Sequence, residues 1–159
     1  MSVDGTDCPI MEPSPFIPSW FSHKINRAGL RYELGLSGRK ANIVWANGPF
    51  PCGAFSDVRI FRTRLKPLLG IEEFAIGESG YTDVRCVRAP HHTHALHRPL
   101  SLIRARHEIV NSHLKKFRVL STRYRHDIHG HEYFFFAVLI VTHLELQNRP
   151  KFNIQLSWE

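Results

Sequence analysis

Leu30-Arg31-Tyr32-Glu33-Leu34-Gly35-Leu36, then Ser37-Gly38-Arg39-Lys40, then Asn42-Ile43-Val44-Trp45-Ala46 form the run that sets the fold class. Leu30, Tyr32, Leu34 and Leu36 alternate with Arg31, Glu33 and Gly35, the period of two that sends successive side chains to opposite faces of a strand. Ser37 to Lys40 read as a turn, and the β-branched and aromatic residues beyond it as a returning strand. A hairpin is therefore expected over residues 30–46.

Toward the C-terminus, Asn47-Gly48-Pro49-Phe50-Pro51-Cys52-Gly53 reads as a tight loop. A helix follows from Ser56 or Asp57 to Leu69, closed by Gly70. Phe74-Ala75-Ile76 is a short buried strand ending at Gly77-Glu78-Ser79-Gly80-Tyr81, and residues 84–87 make one more. Residues 89–99 are a His-rich, Pro-bounded loop. Residues 104–118, RARHEIVNSHLKKFR, form an amphipathic helix. Ile103, Val110, Leu114 and Phe117 make its apolar stripe, while Arg104, Glu108, Asn111, Ser112 and Lys115 fall on another face. A second helix over residues 130–147 is apolar nearly all round and is expected to be buried. Phe152, Ile154, Leu156 and Trp158 alternate in a terminal strand or tail. Toward the N-terminus, Ser2-Val3-Asp4-Gly5-Thr6 reads as a strand end entering a turn, and prolines 9, 13, 15 and 18 mark an irregular loop. Strands and helices in this order make an α/β domain with a mixed sheet.

The 159 residues suffice for one domain with a real core. Residues 1–14 carry Asp4, Asp7, Glu12 and prolines where a secretory leader needs an apolar run, so none is expected. The longest apolar run, residues 134–141, is too short to span a bilayer. Three cysteines, Cys8, Cys52 and Cys86, are far apart and odd in number, which points to a reducing, intracellular setting and away from a thiolate zinc site. The histidines at 91, 92, 94 and 97 have no acid or cysteine near them in sequence, so no zinc site is expected there.

Charge is distributed unevenly. Between Arg98 and Asp127 lie eight Lys/Arg residues with Glu108 as the only acid, and the net +7 of the chain resides in that segment. A clustered basic excess points to a polyanion, of which nucleic acid is the commonest. The phosphate-contacting candidates are Arg104, Lys115, Lys116, Arg118, Arg123 and Arg125. Glu108 reads either as the partner of Arg104 one helical turn away or as a metal ligand beside bound nucleic acid. Asp4 and Glu78 each lie beyond a short apolar strand and beside glycine, where ligands approach backbone closely. Three such carboxylates suit hard divalent ions of the kind that assist phosphodiester chemistry. The plainer alternative makes Asp4 and Glu78 turn acids.

Six segments occur together in order: Val3-Asp4-Gly5-Thr6-Asp7-Cys8-Pro9-Ile10, Trp45-Ala46-Asn47-Gly48-Pro49-Phe50-Pro51-Cys52-Gly53, Ser56-Asp57-Val58-Arg59-Ile60-Phe61, Gly77-Glu78-Ser79-Gly80-Tyr81, Ala105-Arg106-His107-Glu108-Ile109-Val110-Asn111 and Leu114-Lys115-Lys116-Phe117. In this the chain resembles the DDE endonuclease domain of Harbinger-type transposases and the host genes derived from them, over nearly its whole length. The resemblance implies an RNase H-like mixed sheet flanked by helices, and Mg²⁺- or Mn²⁺-dependent cleavage and joining of DNA strands in the nucleus. It carries the catalytic, metal-binding carboxylates onto Asp4, Glu78 and Glu108, with Asp57 as an alternative ligand or a first-turn helix acid. Two departures stand out. Glu78 replaces the family's Asp and is one methylene longer. Asp4 is preceded by only three residues, so the first strand is expected to be truncated, and the family's N-terminal helical DNA-binding region to be missing. Expected partners are DNA, and a second copy of the chain or a separate DNA-binding protein. The other reading is a non-catalytic DNA-binding remnant or domesticated module.

Overall fold

The computed structural model describes residues 1–38, 42–78, 80–88 and 97–148, with side chains described for all of these except 87–88 and 97–104. The expected tail at 152–158 and the histidines at 91, 92 and 94 lie outside the described residues. The elements are β1 (Ser2–Pro9), β2 (Phe21–Ser22), β3 (Arg27–Leu36), β4 (Ile43–Pro51), α1 (Asp57–Ile60), β5 (Ala75–Gly77), β6 (Cys86–Arg88), α2 (His97–Lys115), α3 (Arg118–Ser121) and α4 (His131–Gln147). They form a mixed α/β domain whose sheet is flanked by helices.

The hairpin stands as expected: β3 and β4 pair antiparallel from Leu36↔Ile43 to Leu30↔Pro51. On its other edge β3 pairs antiparallel with β1 over all eight residues of that strand. β1 in turn pairs parallel with β5 through Ser2↔Ile76 and Val3↔Gly77, and β5 pairs parallel with β6. β1 is therefore central.

The outcome differs from the sequence reading at three places. Asp4-Gly5-Thr6 is not a turn: β1 continues through it to Pro9, so Asp4 is the third residue of an eight-residue strand. Asp and Gly are turn formers in isolation, but continuous antiparallel pairing with β3 outweighs that preference. Residues 47–51 are likewise strand rather than loop, with a register irregularity opposite Arg31 and Glu33. Prolines are tolerated there because β4 pairs only with β3. Third, α4 is apolar nearly all round but is buried only along His131, Phe135, Val138, Leu139, Thr142 and Leu146. Tyr133, Phe134, Ile140, Val141 and Leu144 face outward, Tyr133 being 73% exposed.

Both faces of the sheet are covered. Leu30, Tyr32, Leu34 and Leu36 pack with Val110, Leu114, Leu120 and Phe135 from the C-terminal helices. The Tyr32 ring stacks on Phe135 with centroids 3.6 Å apart, and its hydroxyl meets His131 Nδ1 at 2.7 Å. The opposite face holds Val3, Phe61, Leu65, Ala75, Tyr81 and Cys86. The helix expected over 56–69 begins at its Ser56 cap, whose hydroxyl accepts from Arg59 N–H at 3.4 Å. It widens to a π turn over Phe61–Leu65 and tightens at Lys66–Leu68. α2 starts at His97, earlier than expected, with Pro99 in the first turn where its missing N–H costs nothing.

Candidate functional site

The site is built along β1, whose alternation splits it into two series. Ser2, Asp4 and Cys8 turn toward α2 and its neighbours: Ser2 Oγ meets His107 Nε2 at 2.8 Å, and Asp4 Oδ2 accepts from Asn111 Nδ2 at 3.1 Å. Val3, Gly5 and Asp7 turn toward α1. At Gly5 a Cβ would collide with the Asp57 carboxylate, so the glycine of the Asp-Gly-Thr segment is what lets α1 bring an acid against the strand. Asp7 takes a bidentate bond from Arg31, Nε to Oδ1 at 2.7 Å and Nη2 to Oδ2 at 2.8 Å, and a third from Ser22 Oγ at 2.5 Å. Burial would raise Asp7, but these bonds and the Arg31 charge outweigh it and hold the carboxyl below its ordinary range. Asp7 is thereby satisfied, and it fixes Arg31 beside the site.

Asp4, Glu78 and Asp57 share one electrostatic neighbourhood. Val3 pairs with Gly77 in parallel register, so Asp4 follows that pair on β1 and Glu78 follows it just past the end of β5. Burial pushes the Asp4 carboxyl up to about 6; the Lys24 ammonium opposes this, and the charges of Glu78 and Asp57 add to it. Asp57 is also raised, by burial first, with Arg31 opposing and Asp7 and Glu78 assisting. Among the described residues Asp57 Oδ1 accepts no hydrogen bond, although Arg31 Nη1 stands 3.4 Å away, and Asn111 Oδ1 has no donor either. Lys24 Nζ donates to the Gly5 carbonyl at 2.9 Å, which holds its charge over the strand. His107, pushed down to about 4 by burial, stays neutral beside Glu78 at neutral pH.

Glu108 is in a different setting. It lies one turn before Asn111 on α2, with its side chain exposed, and Asn111 makes the α2 contact to Asp4. The structure thus joins Asn111 to Asp4 and leaves Glu78 and Asp57 within electrostatic reach of it. Among the described residues, no three His, Cys, Asp or Glu side chains stand close enough to ligate one ion. The donor chemistry nonetheless suits a hard divalent cation: mutually repelling carboxylates, and two buried oxygens with no hydrogen-bond donor.

Of the expected phosphate contacts, Arg104 lies in α2 but its side chain is outside those described. Lys115 turns inward, and its Nζ donates to the carbonyls of Asp7 at 2.5 Å and Leu120 at 3.1 Å. Lys116, Arg118, Arg123 and Arg125 are exposed. The stretch around Tyr124 is tied to the far end of β1 by Tyr124 N–H to Pro9 O at 3.0 Å and Met11 N–H to Tyr124 O at 2.9 Å. That end is five residues from Asp4, roughly 17 Å along a strand.

Several residues had no role in the sequence reading. Asn111 was placed on the polar helix face, but its contact with Asp4 depends on how α2 crosses the sheet. Arg31 and Glu33 were only the polar members of an alternating strand, yet Glu33 is wholly buried, its Oε2 accepting from Trp45 Nε1 at 3.0 Å. Compared with protein-family models, with curated proteins and with solved structures, the chain matches none.

Proposed function

We propose that this is an RNase H-like domain of the transposase-derived DDE class, cutting or joining DNA strands with a divalent metal ion in the nucleus. One observation carries the reading: a central first strand carries Asp4, Glu78 follows directly on the end of the parallel neighbour strand, and Asp57 approaches Gly5 from the other face. The strand order also supports it, because the resemblance implies a central β1. A divalent cation at such a site supplies Lewis-acid stabilisation of charge at a phosphodiester. Asp4 and Glu78 would hold it, with Asp57 and Glu108 as the acids nearest in the fold to add a further ligand.

The remaining roles belong to the chain itself. Asn111 orients Asp4, and Lys24 offsets part of the negative charge while the site is free of DNA. The exposed Lys116, Arg118, Arg123 and Arg125 offer contacts to backbone phosphates. Among the described residues no helix is long and apolar enough to cross a membrane.

A nicking assay on supercoiled DNA with Mg²⁺ or Mn²⁺ tests the reading. Cleavage by the parent chain, lost in Asp4→Asn and kept or raised in Glu78→Asp, is the expected result. Cleavage that survives Asp4→Asn refutes it. A second reading, DNA binding without cleavage, is favoured by the exposed position of Glu108 outside the carboxylate group. It predicts salt-dependent DNA binding with no nicking by either the parent or Glu78→Asp.

A further inference from the structure

Beside the carboxylates, on the α1 side of the sheet, lies a cleft of about 550 Å³ that the metal site does not use. Its walls come from the proline-rich segment before β2 and from the turn after β4. Phe16, Phe21 and His23 line one side as a run of edge-to-face rings, with centroids 6.1 Å apart for Phe16–Phe21 and 5.2 Å for Phe21–His23. Phe16 is 55% exposed and lines the cleft, so its ring is open to a ligand there. Lys24 stands at the rim, and Arg31 lies at the base, already bound to Asp7. No acid lines this cleft among the described residues.

The walls are held firmly. A Cβ on Gly53 would collide with the Pro18 carbonyl, so the two segments meet backbone to backbone. Ala54 N–H donates to Ser19 O at 2.9 Å and Trp20 N–H to Ile17 O at 3.1 Å, and prolines 13, 15 and 18 restrict the chain further. The aromatic edge is thus organised before any ligand arrives, which lowers the entropic cost of binding.

Two contacts connect the cleft to the proposed metal site. Lys24 Nζ bonds the carbonyl of Gly5, the residue after Asp4, and Ser56 in the lining is the residue before Asp57. A ligand in the cleft therefore ends beside the carboxylates. It must offer a flat face to Phe16 and an anion to Lys24 and His23, and it must continue toward the metal site.

We infer that the cleft takes a nucleotide of an unpaired DNA segment, its base stacked on Phe16 and Phe21 and its phosphate against Lys24, so that the next phosphodiester lies toward Gly5 and Asp57. Its placement rests on the nuclease reading above, but the binding can be measured without it. Base–aromatic stacking of this kind is sequence-tolerant and accompanies a positively charged groove.

The test is fluorescence anisotropy in EDTA, with a labelled single-stranded oligonucleotide of about ten nucleotides and a duplex of the same sequence as probes. Phe16→Ala should weaken single-strand binding about tenfold, as expected for one lost stack, and leave duplex binding unchanged. Phe16→Leu, which keeps bulk but loses the ring, should weaken it similarly, and Phe16→Trp should restore it with quenching of the new indole by the bound strand. Lys24→Gln should lower the salt slope of single-strand binding by about one. Equal single-strand affinity in Phe16→Ala and the parent overturns the inference, as do equal losses for single strand and duplex. If Phe16→Ala binds normally while Asp4→Asn abolishes nicking, the cleft inference falls and the nuclease reading stands. If the parent never nicks but shows the Phe16-dependent preference, the reverse holds. A parent chain that binds neither probe refutes both.

Discussion

Glu33→Gln isolates the energetic cost of a carboxyl enclosed by the sheet. Glu33 has no exposed surface, and it receives one hydrogen bond, from Trp45 Nε1, while its Oε1 has none among the described residues. Burial pushes its carboxyl up from 4.5 to about 7; the Trp45 bond opposes this and the Asp57 charge adds to it. The native state then holds the proton more tightly than the unfolded chain. Between pH 4.5 and about 7 unfolding releases a proton, so this group's contribution is intact below pH 4.5 and lost as pH rises toward 7. At about 1.4 kcal/mol per tenfold change in proton affinity, the loss comes to about 3 kcal/mol above pH 7. His107 and His131, both pushed down to about 4 by burial, act in the opposite direction, stabilising the fold as pH rises through the same range. The parent's pH profile therefore mixes opposing slopes, and only the difference between parent and variant reports Glu33. Glutamine keeps the acceptor for Trp45 but leaves an amide N–H₂ in place of Oε1, a penalty of about 1–3 kcal/mol that does not vary with pH. Urea unfolding at pH 5, 6, 7 and 8 should show the variant gaining on the parent by about 3 kcal/mol from the lowest pH to the highest. Parallel curves across that range would refute the raised Glu33 carboxyl.

Three further outcomes follow from the geometry. Gly5→Ala should displace Asp57 and cost about 1–3 kcal/mol by overpacking; in thermal denaturation it should also lose any Mn²⁺ stabilisation. The parent at a Mn²⁺ concentration 100-fold above its Kd should gain about 2.7 kcal/mol, a Tm rise of roughly 5–10 °C for a chain of this size, and Asp4→Asn should gain almost none. Tyr32→Phe should lose about 1–3 kcal/mol in chemical unfolding, because His131 Nδ1 is left without its buried partner; a cost near zero would mean that the two rings pack without that bond.

Where periodicity was strong, the sequence was a good guide. The Leu30–Leu36 alternation and its returning strand paired as expected, and the Ser56 cap began its helix. The polar face of α2 was legible as a face, and Asn111 and Lys115 do lie on the side that meets β1. Residues governed by two partners at once were harder to read. Asp4-Gly5-Thr6 has turn composition, and only its pairing to β3, with β5 beside the start of the same strand, makes it part of a central strand. Glu33 and Arg31 sit on the face that an alternating strand ordinarily shows to water. Here α1 and its continuation cover that face.

The local order of strands and helices, the location of the charge excess, and the three acids beside glycine or on a helix face follow from the sequence alone, because each depends on neighbours within a few residues. Which acids meet does not follow from it. Asp57 joins Asp4 across a glycine 52 positions earlier in the chain, and Glu78 joins through the β1–β5 register. Glu108 stands at the solvent edge because the helix turn presents Asn111 to the strand instead. These contacts are fixed by how two layers pack on one sheet, and no spacing along the chain encodes the angle at which a helix crosses it.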